Sequence, residues 1–143
     1  MFDNDKRFLC IDIPISFNNG NRGQSKHWGS HQDARKKAAS ALRSATFMAK
    51  TEDGAWHEVM PSECHIDQRV DVWATRVLGP GDRSWDPDSI LRGVGAKALI
   101  DAIVDAQVLS GDSSKHVRYC LGDQCSNMRN IGPKWILEFF KIK

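Results

Sequence analysis

The sequence predicts a single α+β domain in which a mixed sheet of about four strands packs with two main helices. Three observations lead to this fold class. Some segments alternate apolar and polar residues, as strands do, and others repeat apolar residues at helical spacing. These segments follow one another as strand, helix, strand, helix, strand, strand. The length of 143 residues, without an internal repeat or linker, suits one domain with its own core.

The first half of the chain predicts a buried strand, a long loop and a helix. Residues 7–15 are mostly apolar, which predicts a buried strand, and Pro14 is expected to end it. Residues 16–30 are rich in Asn and Gly, and so long a loop is unusual unless it has a function. Ser30 and Asp33 resemble a capping box and predict a helix that continues to about Ala49. Small apolar residues at helical spacing would form its inner face: Ala34, Ala38, Ala41, Leu42, Ala45 and Met48.

The second half predicts three strands and one helix. Residues 63–77 alternate apolar and polar side chains, which favours a strand with one solvent-facing side. Residues 78–85 are rich in turn-forming residues. The remaining predicted elements are a helix over 89–106 and strands over 115–121 and 134–142, with residues 122–133 between them.

Charge is unevenly distributed along the chain. The net charge is only +2, which alone does not favour nucleic acid. Residues 22–50, however, carry many Lys and Arg and a single acid, whereas residues 52–112 are rich in acids. A basic segment beside a carboxylate cluster suits an enzyme that holds a polyanion and cuts it with a metal. A solvated basic helix would give the same pattern.

The chain has no apolar run long enough for a membrane span and no signal-peptide pattern, which predicts a cytoplasmic protein with reduced cysteines. His116, Cys120 and Cys125 lie close enough in sequence to raise the alternative of a zinc site, but no paired CxxC supports it. The run GVGAKA at 93–98 matches a dinucleotide-binding pattern but falls inside a predicted helix, so no nucleotide cofactor is expected.

The stretch WDPDSILR, residues 85–92, holds the main candidate site. Pro87 favours an extended backbone at Asp86, so the side chains of Asp86 and Asp88 should project to the same side and could share one ion. An ordinary helix start, with Asp88 as N-cap and Asp86 solvated, explains the same residues. The neighbouring Trp85 suits either core packing or stacking on a base.

Three charged residues further along bear on this site. Arg92 lies about 40° from Asp88 on a helical wheel and could orient an acid or contact a phosphate. Lys97 lies about 180° from Asp88 on the same wheel, which favours pairing with Asp101 instead. Asp112 follows the second helix, and its sequence spacing does not show whether it returns to the helix start. Three converging acids would supply the hard oxygen ligands that Mg²⁺ requires.

Taken together, these segments resemble the RusA family of Holliday-junction resolvases, small phage and prophage endonucleases. The likeness rests on IDIPISFNNGNRGQSKHW near the N-terminus, on DPDSILR, and on the acid in GDSSKHV, with KWILEFFKIK as a terminal strand. The resemblance implies that Asp86, Asp88 and Asp112 are catalytic and bind Mg²⁺, with Mn²⁺ as a substitute. Arg92 stands where the family has an essential lysine.

Three departures from the family pattern affect this interpretation. Ser89 replaces an asparagine, and Gly111 replaces the first of two acids. Arg92 keeps the positive charge of the family lysine but cannot donate a proton at neutral pH. Arg92 therefore suffices if the lysine stabilises charge, whereas acid catalysis would need another donor.

The resemblance implies a homodimer that nicks opposing strands of a four-way junction, in DNA recombination and repair. The residues expected to contact the DNA backbone are Asn18, Asn19, Arg22, Lys26, Arg35, Lys36 and Arg43. Two alternatives remain: a catalytically inactive DNA-binding recombination factor of the same fold, and an interaction module without a DNA role.

Overall fold

A computed structural model describes residues 2–17, 28–86, 89–91 and 95–142 of the chain. Within these ranges the chain forms two α-helices, six strands and two short 3-10 helices at Asn4–Lys6 and Pro61–Glu63. In chain order the main elements are β1 (Arg7–Ile13), α1 (Trp28–Leu42), β2 (Thr46–Lys50), β3 (Trp56–Val59), β4 (Val70–Val77), α2 (Ala96–Asp105), β5 (Val117–Cys125) and β6 (Lys134–Lys141).

The strands form one mixed sheet in the order β3-β2-β1-β6-β4-β5. β4 and β5 are parallel, as expected for strands joined through a helix, and the other neighbours are antiparallel. The C-terminal strand β6 lies between β1 and β4 and so joins the first and second halves of the chain. β5 is therefore one edge of the sheet, and the connection through α2 lies beside it.

The core lies between the two helices and one face of the sheet. Side chains of α1 and α2 form a single buried cluster with alternate residues of the central strands. Its members include Ala34, Ala38, Leu42, Leu99 and Ile103 from the helices and Ile11, Val72, Leu137 and Phe139 from the strands. Burying such aliphatic and aromatic side chains stabilises a fold by about 1.5–3 kcal/mol each.

The predicted fold class is confirmed, because two helices pack with a mixed sheet. The number of strands is six rather than about four, since β2 and β3 were not predicted. The first helix ends at Leu42 and not near Ala49. Thr46–Lys50 pairs with β1 instead, and this pairing turns Phe47 into the core with 1% exposure. Alanines at helical spacing concealed this strand, and tertiary packing overrode their local preference.

Three other boundaries differ from the predictions. The strand predicted over 63–77 is observed only over Val70–Val77. Neither of its faces is fully exposed to solvent, because Asp71 is buried and binds Arg118. The predicted helix 89–106 narrows to Ala96–Asp105. The strand predicted at 115–121 extends to Cys125. In the described part of the chain, neither helix has the length and apolar character needed to span a membrane.

Candidate active site

The described part of the loop that follows β4, residues 78–86, includes the first candidate carboxylate, Asp86. The side chain of Asp86 is exposed, while its backbone carbonyl accepts a hydrogen bond of 2.9 Å from the Ser89 N–H. Ser89 itself is fully buried, with 0% exposure. The turn therefore places Asp86 at the surface and brings the chain back into the core. The two predicted site residues that follow, Asp88 and Arg92, lie outside the described residues.

The segment after this turn, residues 89–91, packs directly on β5. A Cβ atom at Gly122 would lie 2.9 Å from Ile90 Cγ2 and 2.6 Å from the carbonyl oxygen of Ala74. Only glycine permits so close an approach between the segment and the sheet. The contact with β5 thus sets the distance between the sheet and residues 89–91, which follow Asp86 and Asp88 in the chain.

Asp112, the third candidate acid, contacts the beginning of α2. Lys97 lies in the first turn of that helix, and its Nζ donates to Asp112 Oδ2 at 2.7 Å and to Asp101 Oδ1 at 3.0 Å. The predicted pairing of Lys97 with Asp101 is confirmed. Its second partner, Asp112, was not predicted because Asp112 lies beyond the end of α2, where helical spacing no longer indicates contacts.

The ion pair changes the titration of both partners. The hydrogen bond from Lys97 holds the pKa of Asp112 below its ordinary value, and the same bond raises the pKa of Lys97. Arg35 on α1 contributes a smaller lowering of the Asp112 pKa. Both side chains stay well exposed, at 55% for Lys97 and 43% for Asp112, so solvent screens the pair.

A cleft between α2 and β5 contains Asp112 and Leu91. Its lining combines the ion pair with apolar side chains: Leu91, Ala96, Lys97, Ile100, Asp112, Val117 and Cys120. Leu91 follows Asp88 by three residues. Asp112 and the segment just after the paired aspartates therefore share one cleft, which the sequence spacing could not establish.

Among the described residues, Asp112 is the carboxylate that lines this cleft, and Asp86 is not part of its lining. Carboxylate oxygens are ligands that Mg²⁺ prefers. Within the described ranges, no group of three or more His, Cys, Asp or Glu is placed to hold a metal together. Two of the three predicted ligands, Asp86 and Asp112, fall in those ranges. The zinc alternative gains no support from Cys120, since burial raises the pKa of its thiol and so disfavours the thiolate that zinc requires.

The predicted DNA-binding residues divide into two sets. Asn18, Asn19, Arg22 and Lys26 lie outside the described residues. Lys36 on α1 and Arg43 directly after it are exposed, whereas Arg35 binds Asp105 of α2 through two hydrogen bonds of 2.8 and 2.7 Å. Arg35 therefore links the basic helix to the helix that holds Lys97, and this contact brings the basic surface next to the cleft.

The sequence interpretation also missed two residues that support the loop before Asp86. Arg76 and Gln124 hydrogen-bond to each other and to that loop. Arg76 is only 7% exposed and has the same parity as the apolar residues of its strand, but no role was predicted for it. Gln124 fell in a segment predicted to be a loop. A polar residue at a core-facing strand position is the signal that could have identified Arg76.

Comparison of the sequence with known family models found no match, and comparison with curated proteins found no significant relative.

Proposed function

We propose that the protein is a Mg²⁺-dependent, structure-selective DNA endonuclease that resolves four-way junctions or related branched DNA by paired nicks. The observation that carries the proposal is the position of Asp112. It contacts Lys97 in the first turn of α2 and shares a cleft with Leu91, so the third acid returns to the helix that follows the paired aspartates. The motif order that resembles the RusA family supports the same conclusion.

In this proposal Asp86, Asp88 and Asp112 hold the metal, with Mn²⁺ as a substitute. A bound Mg²⁺ would polarise the scissile phosphate and lower the pKa of a water molecule. Lys97 would hold the Asp112 carboxylate turned toward α2, because its ammonium donates to Oδ2 at 2.7 Å. Arg92 stabilises charge on the phosphate and needs no proton transfer to do so.

The DNA backbone would follow the basic surface of α1 toward the cleft. Lys36 and Arg43 are exposed there, and the Arg35–Asp105 pair holds α1 against α2. Asn18, Asn19, Arg22 and Lys26 would extend the same surface. Contacts of this kind are made to phosphates. They would therefore contribute to the affinity for DNA and not to recognition of a base sequence. The protein would act in the cytoplasm, where it meets DNA.

We further propose that the active form is a homodimer, as the resemblance implies. Paired nicks on opposing strands need two active sites related by a twofold axis. Tyr119 and Leu121 of the edge strand β5 are 44% and 41% exposed and offer apolar surface for such an interface. Sedimentation should give about twice the chain mass of 16.1 kDa.

Cleavage of a synthetic four-way junction tests the proposal. The wild-type protein should release nicked products with Mg²⁺, and Asp88→Asn should abolish cleavage while junction binding survives, because a neutral amide is a weaker metal ligand. Glu58→Gln is a matched control, since Glu58 is exposed on β3, at the opposite edge of the sheet from β5. Undiminished cutting by Asp88→Asn would refute the metal assignment.

One observation favours the second candidate, an inactive DNA-binding recombination factor. Lys97 occupies an oxygen of Asp112, and a cation in that place competes with a metal for the carboxylate. Junction binding by the wild-type protein without nicks, at any Mg²⁺ or Mn²⁺ concentration, would favour this candidate. Absence of binding even at low salt, where phosphate contacts are strongest, would contradict both candidates.

A further inference from the structure

A row of three residues crosses the sheet beneath the loop that ends at Asp86. Arg76 of β4 is paired in register with Gln124 of β5 on one side and with Trp135 of β6 on the other. We call Gln124, Arg76 and Trp135 the three-strand row. Trp85, the residue immediately before Asp86, is 6% exposed and contacts all three members.

Gln124 binds the backbone of Trp85 through both ends of its amide. Its Oε1 accepts from the Trp85 N–H at 2.7 Å, and its Nε2 donates to the Trp85 carbonyl at 2.8 Å. One side chain thus satisfies both backbone groups of a buried residue, as a neighbouring strand would do. The backbone next to Asp86 is therefore held in position and in orientation.

Arg76 fixes which way the Gln124 amide points. Its guanidinium donates to Gln124 Oε1 at 2.9 Å and to the carbonyl of Arg83 at 3.0 Å, and it lies 4.2 Å from the centroid of the Trp85 ring. A guanidinium has only donors, so the oxygen of the amide must face it. The Nε2 group must then face the Trp85 carbonyl. Arg76 orients Gln124, and Gln124 orients Trp85.

Packing alone does not require this arrangement. A buried guanidinium loses hydration, which lowers the pKa of Arg76, and apolar residues at both positions would avoid that cost. The ring of Trp85 is already held, because its centroid lies 5.9 Å from that of Trp135. Arg76 and Gln124 additionally fix the direction of the backbone at Trp85. Trp85 directly precedes Asp86, whose carboxylate is exposed at the surface.

We infer that Gln124, oriented by Arg76, is a positioning residue for the Asp86 carboxylate and thereby raises the affinity of the site for a hard divalent cation. The inference rests on the proposed function, because it assumes that Asp86 is a metal ligand. Groups that orient metal ligands without touching the metal typically change metal affinity or activity by about 10–100-fold when they are removed.

Direct binding of Mn²⁺, measured by calorimetry on the full chain, tests the inference without relying on cleavage. Gln124→Ala removes both bonds to Trp85, and we expect its Mn²⁺ dissociation constant to rise about ten-fold. Gln124→Glu keeps acceptors for the Trp85 N–H and for Arg76 but loses the donor to the Trp85 carbonyl, so a smaller rise is expected. Gln68→Ala, at an exposed loop position, is the matched control.

Two further measurements separate positioning from general stability. Urea unfolding should show that each variant is folded at the temperature of the binding experiment. Junction binding without metal should be unchanged in both Gln124 variants, because the proposed DNA contacts lie on α1 and the segments that flank it, and not on the three-strand row. If Gln124→Ala fails to fold, the Mn²⁺ affinity of Gln124→Glu tests the inference in its place.

The possible results are distinguishable. A weaker Mn²⁺ affinity in the folded Gln124 variants, with unchanged metal-free junction binding, supports the inference. Folded variants that bind Mn²⁺ as tightly as the wild type overturn it and leave the proposed function standing. A wild-type protein that binds no Mn²⁺ overturns the proposed function, and the role of Gln124 in metal affinity is then refuted with it.

Discussion

The two described carboxylates of the candidate site are supported in opposite ways. The backbone before Asp86 is held by buried groups, with Trp85 at 6% and Arg76 at 7% exposure. Asp112 is held by an ion pair in which its own side chain is 43% exposed and that of Lys97 is 55% exposed. Buried hydrogen bonds act in a low dielectric and are costly to break, whereas exposed ion pairs exchange readily with water and salt.

This difference gives the site one rigid half and one adjustable half. Because its support lies in the core, we expect the Asp86 half to keep its geometry when a ligand binds. We expect the Asp112 half to release its carboxylate more easily, since a divalent cation or an anion that attracts Lys97 competes with an exposed ion pair. In the proposed function, the rigid half would supply geometry and the adjustable half would allow exchange of metal and DNA.

The largest effect is expected from breaking the rigid half at Trp85. Trp85→Ala removes a buried ring that packs against Trp135 and Arg76, and we expect it to lower the free energy of unfolding by about 3–5 kcal/mol. Urea denaturation measures this loss. Trp56→Ala, a half-buried tryptophan of the edge strand β3, is the control and should cost much less. Equal losses for the two variants would contradict a rigid half built on Trp85.

A smaller effect is expected where the chain passes over β5. Gly122→Ala places a Cβ 2.6 Å from the Ala74 carbonyl oxygen, which is backbone and cannot move aside without shifting β4. Overpacking of this kind typically costs about 1–3 kcal/mol. Thermal or urea unfolding measures the cost, and chemical shifts of Ile90 should move with it.

Ser126→Ala is the neighbouring control for that prediction. Ser126 is exposed directly after the end of β5, so its truncation should change stability only slightly. If Gly122→Ala is as stable as the wild type, segment 89–91 does not depend on close contact with β5. That result would contradict the claim that the Asp86 half is rigid.

Both halves were predicted only in part, for physical reasons. The Lys97–Asp101 pair follows from i,i+4 spacing on a helix, whereas the contact of Lys97 with Asp112 lies beyond the end of that helix and was not predicted. Gln124 reaches Trp85 across 39 positions of the chain, and only the parallel pairing of β4 and β5 brings them together. Long-range register of this kind is set by the whole sheet and leaves no short motif.

The missed strands have a related cause. Residues 46–50 lie next to a helix rich in alanine, and their apolar positions continue its spacing. Pairing with β1 satisfies their backbone hydrogen bonds and buries Phe47, which outweighs a weak helical preference. The fold class, the first strand and the last strand were predictable because their apolar patterns are strong and locally consistent.

The smallest effect is expected from breaking the adjustable half at Lys97. Lys97→Met removes a screened surface pair and should change stability by less than about 1 kcal/mol, and by nothing measurable in about 1 M salt. The pKa of Asp112 should rise toward its ordinary value of 3.8, because the hydrogen bond that lowers it is gone. NMR titration of the Asp112 carboxyl carbon measures this change.

The pH dependence of that small difference has a definite sign. Asp112 has a lowered pKa when folded, so its share of the stability is complete above about 3.8 and is lost as the pH falls through the folded value. Lys97 has a raised pKa, so its share is complete below about 10.5 and is lost as the pH rises through the folded value. Wild type and Lys97→Met should thus differ at neutral pH and converge at both extremes. Lys115→Met, an exposed lysine in the same turn as Asp112, should leave the Asp112 pKa unchanged; an equal rise in that control would mean that net charge rather than the Lys97 hydrogen bond sets it.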